Sequence, residues 1–374
     1  MPATRRILVV LDFTVTLGRA VFHGVSTYAQ SHGPWEMALE SIAALEGSGA
    51  RRFDGVIAHI GSNAAATTIE RARLPAVNTS NLRRDIDLPR VTSDDVAVGR
   101  LAAEHFLNRG YQRFAFFGYE DHGYSDLRQK GFAEELARAG FEPAIHTGRE
   151  RMPALKRLVK KLDPPTAVMA CNDRCARSVV EACERVGRAV PSDVAVMGVD
   201  NDEIICEGFQ PRLSSVMLST RLIGFRAAQW LEAMLTGEAT MKDSRREQVL
   251  LPPEGITTRQ STDHLAVDDP VVADAVRFIA ERTREGVDVH RVARAVHVSR
   301  RALERRFHQA LGRGPGHEIR RIQIERAKAL LAGTDLAMTE LADAAGFSSA
   351  KQLSETFTRE VGLVPTAYRR QFRH

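Results

Sequence analysis

The sequence predicts an α/β body with two Rossmann-like lobes of parallel sheet, followed by an all-α domain that contains two helix-turn-helix units. Short apolar segments alternate with helical segments over the first 260 residues, a pattern typical of βα units. The composition changes after Leu251, and beyond that point the apolar spacing is helical. With 374 residues, 44% of them hydrophobic, the chain is long enough for two to three packed domains.

The alternating segments form two series along the chain. The first has a strand at 6–11, a helix at 18–31 and the short segments WEMALE, DGVIAHIG and LPAVN. The second has helices near 95–109, 125–139 and 174–187, and strands at 113–118, 166–170 and 194–199. Two such series predict two lobes, the first formed by about 1–110 and 219–250, and the second by about 111–218 and 251–260.

The segment that follows the body predicts a domain boundary. The stretch PPEGITTRQSTDHLAVDDP contains three prolines and no clear periodicity, which indicates an exit strand followed by a linker at 261–269. Asp269 and Pro270 then form a helix-start signal, an acidic cap followed by proline in the first turn. We therefore expect a body at 1–260 and a helical domain at 270–374.

The net positive charge of the chain comes from this C-terminal part. From Asp268 onward there are 19 Lys and Arg against 14 Asp and Glu, a surplus of +5 that equals the net charge of the whole chain. A neutral body with a basic end suggests a module that binds a polyanion. On charge alone, a solvated basic surface without a partner explains the surplus equally well.

The helical domain contains an internal duplication. Residues 292–307 (VARAVHVSRRALERRF) resemble residues 341–357 (LADAAGFSSAKQLSETF), and both copies continue with glycine and then proline at matched distances. In each copy a small residue allows a close helix crossing, and a turn residue precedes a serine that can cap the second helix. We therefore predict helix-turn-helix units at about 288–311 and 338–360, joined by a helix at about 317–331.

The outward faces of the two second helices have the chemistry of major-groove recognition. Arginine can bond a guanine edge bidentately, glutamine an adenine, and glutamate can accept from cytosine, while other basic side chains meet phosphates. The alternative for any one of these side chains is a solvated surface charge. The candidate DNA-binding residues are Arg300, Arg301, Glu304 and Arg305 in the first unit and Ser349, Lys351 and Gln352 in the second.

Segment 269–371 resembles the DNA-binding domain of the AraC/XylS family. The matching residues are Ala293, Ser299, Leu303, Arg306 and Phe307, and then Ala342, Gly346, Phe347, Phe357, Gly362, Pro365, Tyr368 and Arg369. The resemblance implies two helix-turn-helix units that bind adjacent grooves of DNA. The chain departs from the family at His297, where glycine is usual, and at Glu355, where a basic residue is frequent.

The body resembles the effector-binding core that LacI/GalR regulators share with periplasmic sugar-binding proteins. The segments that carry this resemblance are 92–111, SDLRQKGF, CNDRCA, MGVDNDEI and 214–238. A LacI-like body followed by AraC-type helices is the arrangement of the xylose-operon regulators of enteric bacteria. This resemblance implies a homodimeric, cytoplasmic (nucleoid-associated) transcriptional activator that answers to a pentose, with D-xylose as the expected effector, and works with RNA polymerase on tandem half-sites.

Candidate sugar ligands follow the predicted strands, because such groups lie at the carboxyl ends of strands in α/β sheets. Carboxylates, amides and arginine bond hydroxyls bidentately, and aromatic rings cover apolar ring faces. The candidates are Arg128, Asn172, Asp173, Asp200, Asp12 and Arg19, with the aromatic residues Phe13, Tyr119 and Tyr124 placed by location alone. The resemblance assigns ligand contact to Arg128, the Asn172–Asp173 pair and Asp200.

Structural roles compete with these ligand roles. Asp173 could cap the helix that follows it, Asp200 could be a turn carboxylate, and Arg128 could form an ion pair with Asp200. Asp94 matches a position of the family but could equally cap the helix that begins near residue 95.

The sequence contains no pattern typical of a disulfide-rich, secreted or membrane-spanning protein. The four cysteines are clustered, which predicts a chain without disulfides. We expect no signal peptide, because no cleavage site follows the first apolar run, and no membrane span, because long apolar runs are lacking. Motifs for nucleotide, metal or serine chemistry are absent from the sequence, so we expect neither cofactor nor catalysis. The two alternatives are a solute receptor of a sugar uptake system and an enzyme that uses the cleft.

Overall fold

The computed structural model describes residues 4–148, 152–239, 247–267 and 269–372. The described residues up to His105, together with Gln112–His264, form one compact unit; Phe106–Tyr111 and the described residues from Leu265 onward form the second. None of the helices in this part of the chain is both long and apolar enough to cross a bilayer.

The first unit is an alternation of strands and helices. In chain order these are β1 (Arg5–Val10), α1 (Thr16–His32), β2 (Trp35–Ala38), β3 (Gly55–Ala58), α2 (Asn63–Ala72), β4 (Ala76–Asn78), β5 (Arg90–Ser93), α3 (Asp95–Leu107), β6 (Phe114–Gly118), α4 (Gly123–Arg138), β7 (Ala144–Thr147), α5 (Met152–Lys160), β8 (Thr166–Ala170), α6 (Asp173–Val186), β9 (Val194–Val199), α7 (Glu203–Glu207), β10 (Ser214–Met217), α8 (Thr220–Thr236), β11 (Gln248–Leu251) and β12 (Gly255–Thr257).

These strands form two six-stranded sheets, one for each lobe. The first has the order β11-β5-β4-β3-β1-β2 and is parallel throughout, and the second has the order β12-β10-β9-β8-β6-β7. In the second sheet the edge strand β12 is antiparallel to β10, and the other strand pairs that the structure describes are parallel. The predicted two-lobed fold of parallel sheets is therefore confirmed.

Helices cover both faces of the first sheet. Successive side chains of a strand point to opposite faces, so Ile7 and Val9 pack into the core beneath α1 and α8, whereas Leu8 belongs to the core on the α2 side. All three side chains are buried, which is why this part of β1 is apolar on both faces. The crossing of α1 and α8 is close: a Cβ atom on Gly24 would lie 1.9 Å from the carbonyl oxygen of Arg221.

Helix α3 packs with the second lobe, and this corrects the predicted lobe boundary near residue 110. A Cβ atom on Gly99 of α3 would lie 2.0 Å from the carbonyl oxygen of Arg128 on α4, and one on Gly131 of α4 would lie 2.0 Å from that of Val96. These two glycines let the helices cross in backbone contact. The chain therefore leaves the first lobe just after β5, at Asp94, about a helix length earlier than the apolar pattern suggested.

The second unit is helical and contains the two predicted helix-turn-helix units. Its helices are α9 (Pro270–Arg282), α10 (Val289–Ala295), α11 (Arg300–Leu311), α12 (Pro315–Gly333), α13 (Met338–Ala344), α14 (Ala350–Val361) and α15 (Pro365–Phe372). Helix α12 contributes Ile319 to the core of the first helix-turn-helix unit and Ile324 and Ala327 to that of the second. One continuous helix therefore joins the two cores.

The turns of the two helix-turn-helix units use the left-handed backbone in different environments. His297 has φ +55°, while its counterpart Gly346 has φ +83°. A Cβ atom on Gly346 would lie 2.0 Å from the carbonyl oxygen of Thr283, and the Gly346 carbonyl accepts a 2.5 Å hydrogen bond from Gln323. The second turn therefore requires glycine for space as well as for φ.

We expect Gly346→Ala to destabilise the helical domain by about 3 kcal/mol or more, since left-handed strain and a backbone clash act together. The control is Gly362→Ala, because Gly362 has φ +78° but open space around its Cα; strain alone should cost about 1 kcal/mol there. Chemical denaturation of both variants measures the difference. Equal losses of stability would contradict the close contact at Thr283.

Candidate functional site

A cleft of about 350 Å³ opens where the carboxyl ends of the strands of both sheets meet. The first lobe and the crossover supply the segments after β1, β3, β4 and β5, and the second lobe supplies those after β6, β8 and β9. Five of the six predicted sugar ligands line the cleft. They are Asp12, Arg128, Asn172, Asp173 and Asp200.

Arg128 is the most tightly held of these side chains. It is 4% exposed, its Nε donates to Asp95 Oδ1 at 2.8 Å, and its Nη1 donates to the carbonyl oxygen of Cys171 at 2.5 Å. The same Nη1 lies 3.6 Å from Asp200 Oδ1, and the guanidinium lies over the Tyr124 ring, 5.0 Å from its centroid. Among the described residues Nη2 has no hydrogen bond, so this donor is free for a ligand. Arg128 is thus both an ion-pair partner and a candidate ligand.

Asn172, and not Asp173, caps the helix after β8. Asn172 Oδ1 accepts from the backbone N–H of Cys175 at 2.8 Å, which leaves its amide nitrogen 3.4 Å from the Tyr124 hydroxyl. Asp173 is 1% exposed and accepts from the Ser215 hydroxyl at 2.6 Å and from the Asp202 N–H at 2.7 Å. Burial raises the pKa of Asp173, and the charge of Asp200 adds to this. Asp173 therefore anchors the floor of the cleft.

Asp200 lies in a strained turn after β9. Its φ is +104°, and that of Asn201 is +50°, both unusual for residues other than glycine. Its side chain remains 26% exposed beside Arg128, so one carboxylate oxygen is available to a ligand. Asp200 therefore lies in a turn and pairs with Arg128, the two structural roles considered above, and its carboxylate still reaches the cleft.

The first lobe contributes shorter polar side chains. Asp12 accepts from the hydroxyl and backbone N–H of Thr14 at 2.5 and 2.9 Å, and these bonds lower the pKa of its carboxyl. His59 Nε2 lies 3.1 Å from Ser80 Oγ, and burial lowers the pKa of the His59 ring. A neutral His59 beside an ionised Asp12 gives this side both donor and acceptor character.

The remaining predicted ligands divide between cleft and surface. Tyr119 and Tyr124 line the cleft, and burial raises the pKa of both hydroxyls, which keeps them protonated. Arg19 is exposed and lies outside the cleft lining, with its guanidinium bonded to the Phe13 carbonyl and the Thr16 hydroxyl. Phe13 also lies outside the lining and packs edge-on against Phe22.

Sequence reasoning missed several lining residues, among them His59, Ser80, Asn81, Asp95, Arg174 and Asp202. His59, Ser80 and Asn81 follow β3 and β4, so the carboxyl-end rule applied to every strand could have found them. Asp95 stands beside Asp94, which accepts from the Ala97 N–H at 3.0 Å and caps α3. Asp94 is thus a helix cap, the alternative role considered for it from the sequence. The neighbouring Asp95 is the residue that lines the cleft.

The charges in the cleft favour an uncharged, hydroxyl-rich ligand. Even with Asp173 protonated, the two guanidiniums of Arg128 and Arg174 face four carboxylates, so an added anion would meet net repulsion. The many alternating donors and acceptors match the hydroxyls of a sugar. Within the described residues no group of three or more His, Cys, Asp or Glu side chains could hold a metal.

The candidate nucleic-acid residues lie on the second helix of each helix-turn-helix unit. Leu303 and Phe307 of α11, like Leu353 and Phe357 of α14, are fully buried. Ser299 and Ser349 cap these helices, each through a 3.2 Å bond to the backbone N–H three residues on. The opposite faces are exposed at Arg300, Arg301, Arg305, Lys351 and Gln352.

Some of these side chains are already paired. Arg300 Nε donates to Glu304 at 2.8 Å, and Gln352 Oε1 accepts from the Ser348 hydroxyl and N–H at 2.8 Å. Arg301 and Arg305 form no ion pair among the residues that the structure describes. These two arginines can therefore meet phosphates or bases without breaking an internal contact.

Comparison with known proteins gives both parts of the chain a counterpart. The model of the periplasmic binding protein-like domain matches residues 103–262, and that of the helix-turn-helix domain matches residues 292–371. The xylose operon regulatory protein of Haemophilus influenzae is 27% identical over 369 residues, covering 94% of each chain. That of Escherichia coli K12 is 27% identical over 382 residues, covering 97% of this chain and 96% of the relative.

Solved structures give the same architecture. The structure of the xylose-binding transcription activator xylR covers 100% of both chains at 26% identity, with a TM-score of 0.62. The lac repressor dimer bound to operator matches 70% of this chain at 20% identity with a TM-score of 0.57, which establishes the fold of the body alone. The chain thus has a periplasmic binding protein-like body followed by a helix-turn-helix domain, the architecture of the xylose operon regulators.

We expect Asp95→Asn to destabilise the body by about 3–5 kcal/mol, because it leaves the buried Arg128 without its closest counter-charge. Asp95 is 1% exposed on its side chain, so water cannot compensate. The control is Asp94→Asn, since asparagine also caps helices and the change should cost less than about 0.5 kcal/mol. Urea unfolding of both variants tests this; a stable Asp95→Asn protein would remove the central role given to the pair.

Proposed function

We propose that this chain, a sugar-responsive DNA-binding transcriptional regulator with the xylose-regulator architecture and not an enzyme, is an activator controlled by D-xylose. The observation that carries the proposal is the presence, in one chain, of a sugar-type cleft between two lobes and of two helix-turn-helix units. A solute receptor of a transport system would use the first feature and leave the second without a role.

The proposed effector is a neutral pentose, and D-xylose is the first choice. The excess of carboxylates over guanidiniums in the cleft disfavours sugar acids and sugar phosphates. Both full-length relatives quoted above are named for the xylose operon. A regulator of the same architecture that answers to another neutral sugar is the alternative.

The cleft residues divide the work of sugar recognition. Arg128 Nη2 donates to a ring or hydroxyl oxygen, the free carboxylate oxygen of Asp200 accepts from one hydroxyl, and the amide nitrogen of Asn172 donates to another. Asp12 and His59 approach the sugar from the first lobe. Because the two sets stand on different lobes, a bound sugar bridges them and shifts the open–closed equilibrium toward the closed state.

On the DNA side, the two helix-turn-helix units are proposed to enter successive major grooves, about 34 Å apart. Arg301, Arg305 and Lys351 would supply base and phosphate contacts, with Arg300, Glu304, Ser349 and Gln352 at the edges of the same faces. A homodimer formed through the body would place two such domains on tandem half-sites, and an activator in the cytoplasm would act there on RNA polymerase. Sugar-driven closure would rearrange the dimer and so change the affinity for DNA.

The central test is fluorescence anisotropy of a DNA probe taken from upstream of the neighbouring sugar-catabolism genes, at two salt concentrations, with and without D-xylose. We expect binding that weakens steeply with salt and strengthens with xylose. A response to another sugar alone would retain the mechanism and change the effector. Absence of specific DNA binding with every sugar tried would refute the proposal.

Asp200→Asn supplies a variant matched to this test. Asparagine tolerates the left-handed backbone at this position, but it replaces a charged acceptor with a neutral amide. We expect xylose affinity, measured by calorimetry, to fall about tenfold or more, while sugar-free DNA binding stays at the wild-type level.

We expect Arg301→Ala to weaken DNA binding by about 1–3 kcal/mol and to reduce the salt dependence if the contact is to phosphate. Arg277→Ala is the matched control, because Arg277 is an exposed arginine of α9 paired with Asp274 at 3.2 Å and lies outside both helix-turn-helix units. Anisotropy titrations of the two variants against the same probe measure the effect. Equal losses would indicate a general effect of charge and no specific recognition face.

A further inference from the structure

We propose that Thr16 and Asp202, supported by Arg19, form a latch across the cleft that stabilises the closed state and so sets the affinity for the effector. The Thr16 hydroxyl donates to Asp202 Oδ2 at 2.9 Å, although the two residues lie 186 positions apart in the chain. This inference rests on the proposed function for its effect on sugar affinity. The hydrogen bond itself joins the two lobes and does not depend on the identity of the effector.

The two partners stand on opposite lobes. Thr16 is the first residue of α1, which packs on the first sheet, and Asp202 caps α7, which follows β9 of the second sheet. Both residues line the cleft. Their hydrogen bond therefore exists only while the lobes are close together, and it breaks when they separate.

Both carboxylate oxygens of Asp202 take part in structural hydrogen bonds. Its Oδ1 accepts from the backbone N–H groups of Ile204 and Ile205 at 3.1 and 3.3 Å, while Oδ2 takes the Thr16 hydroxyl. Its own N–H donates to Asp173 Oδ2 at 2.7 Å. Asp202 is accordingly a positioning residue.

Arg19 orients the hydroxyl of the latch. Its Nη2 donates to Thr16 Oγ1 at 3.0 Å, and its Nη1 donates to the Phe13 carbonyl at 2.8 Å. Because Thr16 Oγ1 accepts from Arg19, its single proton points to Asp202. The sequence assigned Arg19 to the sugar, whereas these contacts assign it to the latch.

The latch is connected to the residues proposed to bind the sugar. Asp202 directly follows the strained pair Asp200 and Asn201 and is tied to Asp173 through its N–H. A sugar hydroxyl bonded to Asp200 restrains the same turn that carries the acceptor of the latch. Binding and latching therefore stabilise one arrangement of the turn, which makes them cooperative.

The size of the effect follows from the closed fraction of the sugar-free protein. Apparent affinity equals intrinsic affinity multiplied by that fraction. Loss of a hydrogen bond to a carboxylate should lower the closed fraction, and with it the affinity for D-xylose, by about tenfold. Loss of this hydrogen bond leaves the residues proposed to contact the sugar unchanged.

The experiment compares Thr16→Val, Thr16→Ser and Asp202→Ser with the wild type in the full chain. Valine keeps the shape of threonine without the hydroxyl, serine at 16 retains it, and serine at 202 keeps the helix cap but is too short to reach Thr16. Thr27→Val is the control, because Thr27 is an exposed residue of α1 whose hydroxyl bonds only within the helix. Nitroxide labels at Gln30→Cys and Glu184→Cys report the distance between lobes by pulsed electron paramagnetic resonance. The four native cysteines are buried and leave these labels selective.

We expect longer distances between the labels in sugar-free Thr16→Val and Asp202→Ser, and xylose affinity about tenfold weaker by calorimetry. Thr16→Ser and Thr27→Val should match the wild type, and the Thr16→Val/Asp202→Ser double variant should be no worse than either single variant. Unchanged label distances in Thr16→Val would overturn the latch, even if xylose affinity fell, since that result would indicate direct contact with sugar.

The same data separate this inference from the proposed function. A wild-type protein that binds no xylose would refute the proposed effector, but the sugar-free label distances would still decide whether Thr16 and Asp202 hold the lobes together.

Discussion

The buried pair of Arg128 and Asp95 is the contact on which the cleft depends. A buried charge is tolerated only when it is paired and hydrogen-bonded, and Asp95 meets this condition by accepting from Arg128, from Ser93 and, at 2.6 Å, from the Asn81 amide. Asn81 belongs to the first lobe, Arg128 to the second, and Asp95 follows the crossover between them. One network therefore joins the two lobes at the crossover and points a free guanidinium nitrogen into the cleft.

Most polar side chains of the cleft have a structural partner as well as a face toward the ligand. Asn172 caps α6 and still presents its amide, and Asp173 anchors the turn that carries Asp200. Such pre-organisation lowers the entropic cost of binding, because the ligand finds side chains that are already ordered. Structural and functional roles therefore coexist in the same residues of the cleft.

The sequence was sufficient wherever a pattern is local. Apolar runs predicted β8 and β9 to the residue, and the duplicated turn and cap residues predicted both helix-turn-helix units. It was insufficient wherever the outcome depends on three-dimensional packing. The assignment of α3 to the second lobe follows from backbone contact at Gly99 and Gly131, which no periodicity encodes. Whether the Thr16 hydroxyl forms a bond across the cleft depends on Asp202, which lies 186 positions away in the chain.

The unbroken helix α12 has a consequence for how the DNA targets of such a protein can change. With 19 residues it extends about 28 Å, and it is built into the cores on both sides of it, so it works as a ruler of fixed length. Each base pair inserted between the two DNA segments contacted by one domain rotates one segment around the helix axis by about 36° relative to the other. A rigid helix of fixed length cannot turn one helix-turn-helix unit relative to the other to follow that rotation. In the proposed binding mode, a promoter can therefore change the bases of these two segments but not the distance between them.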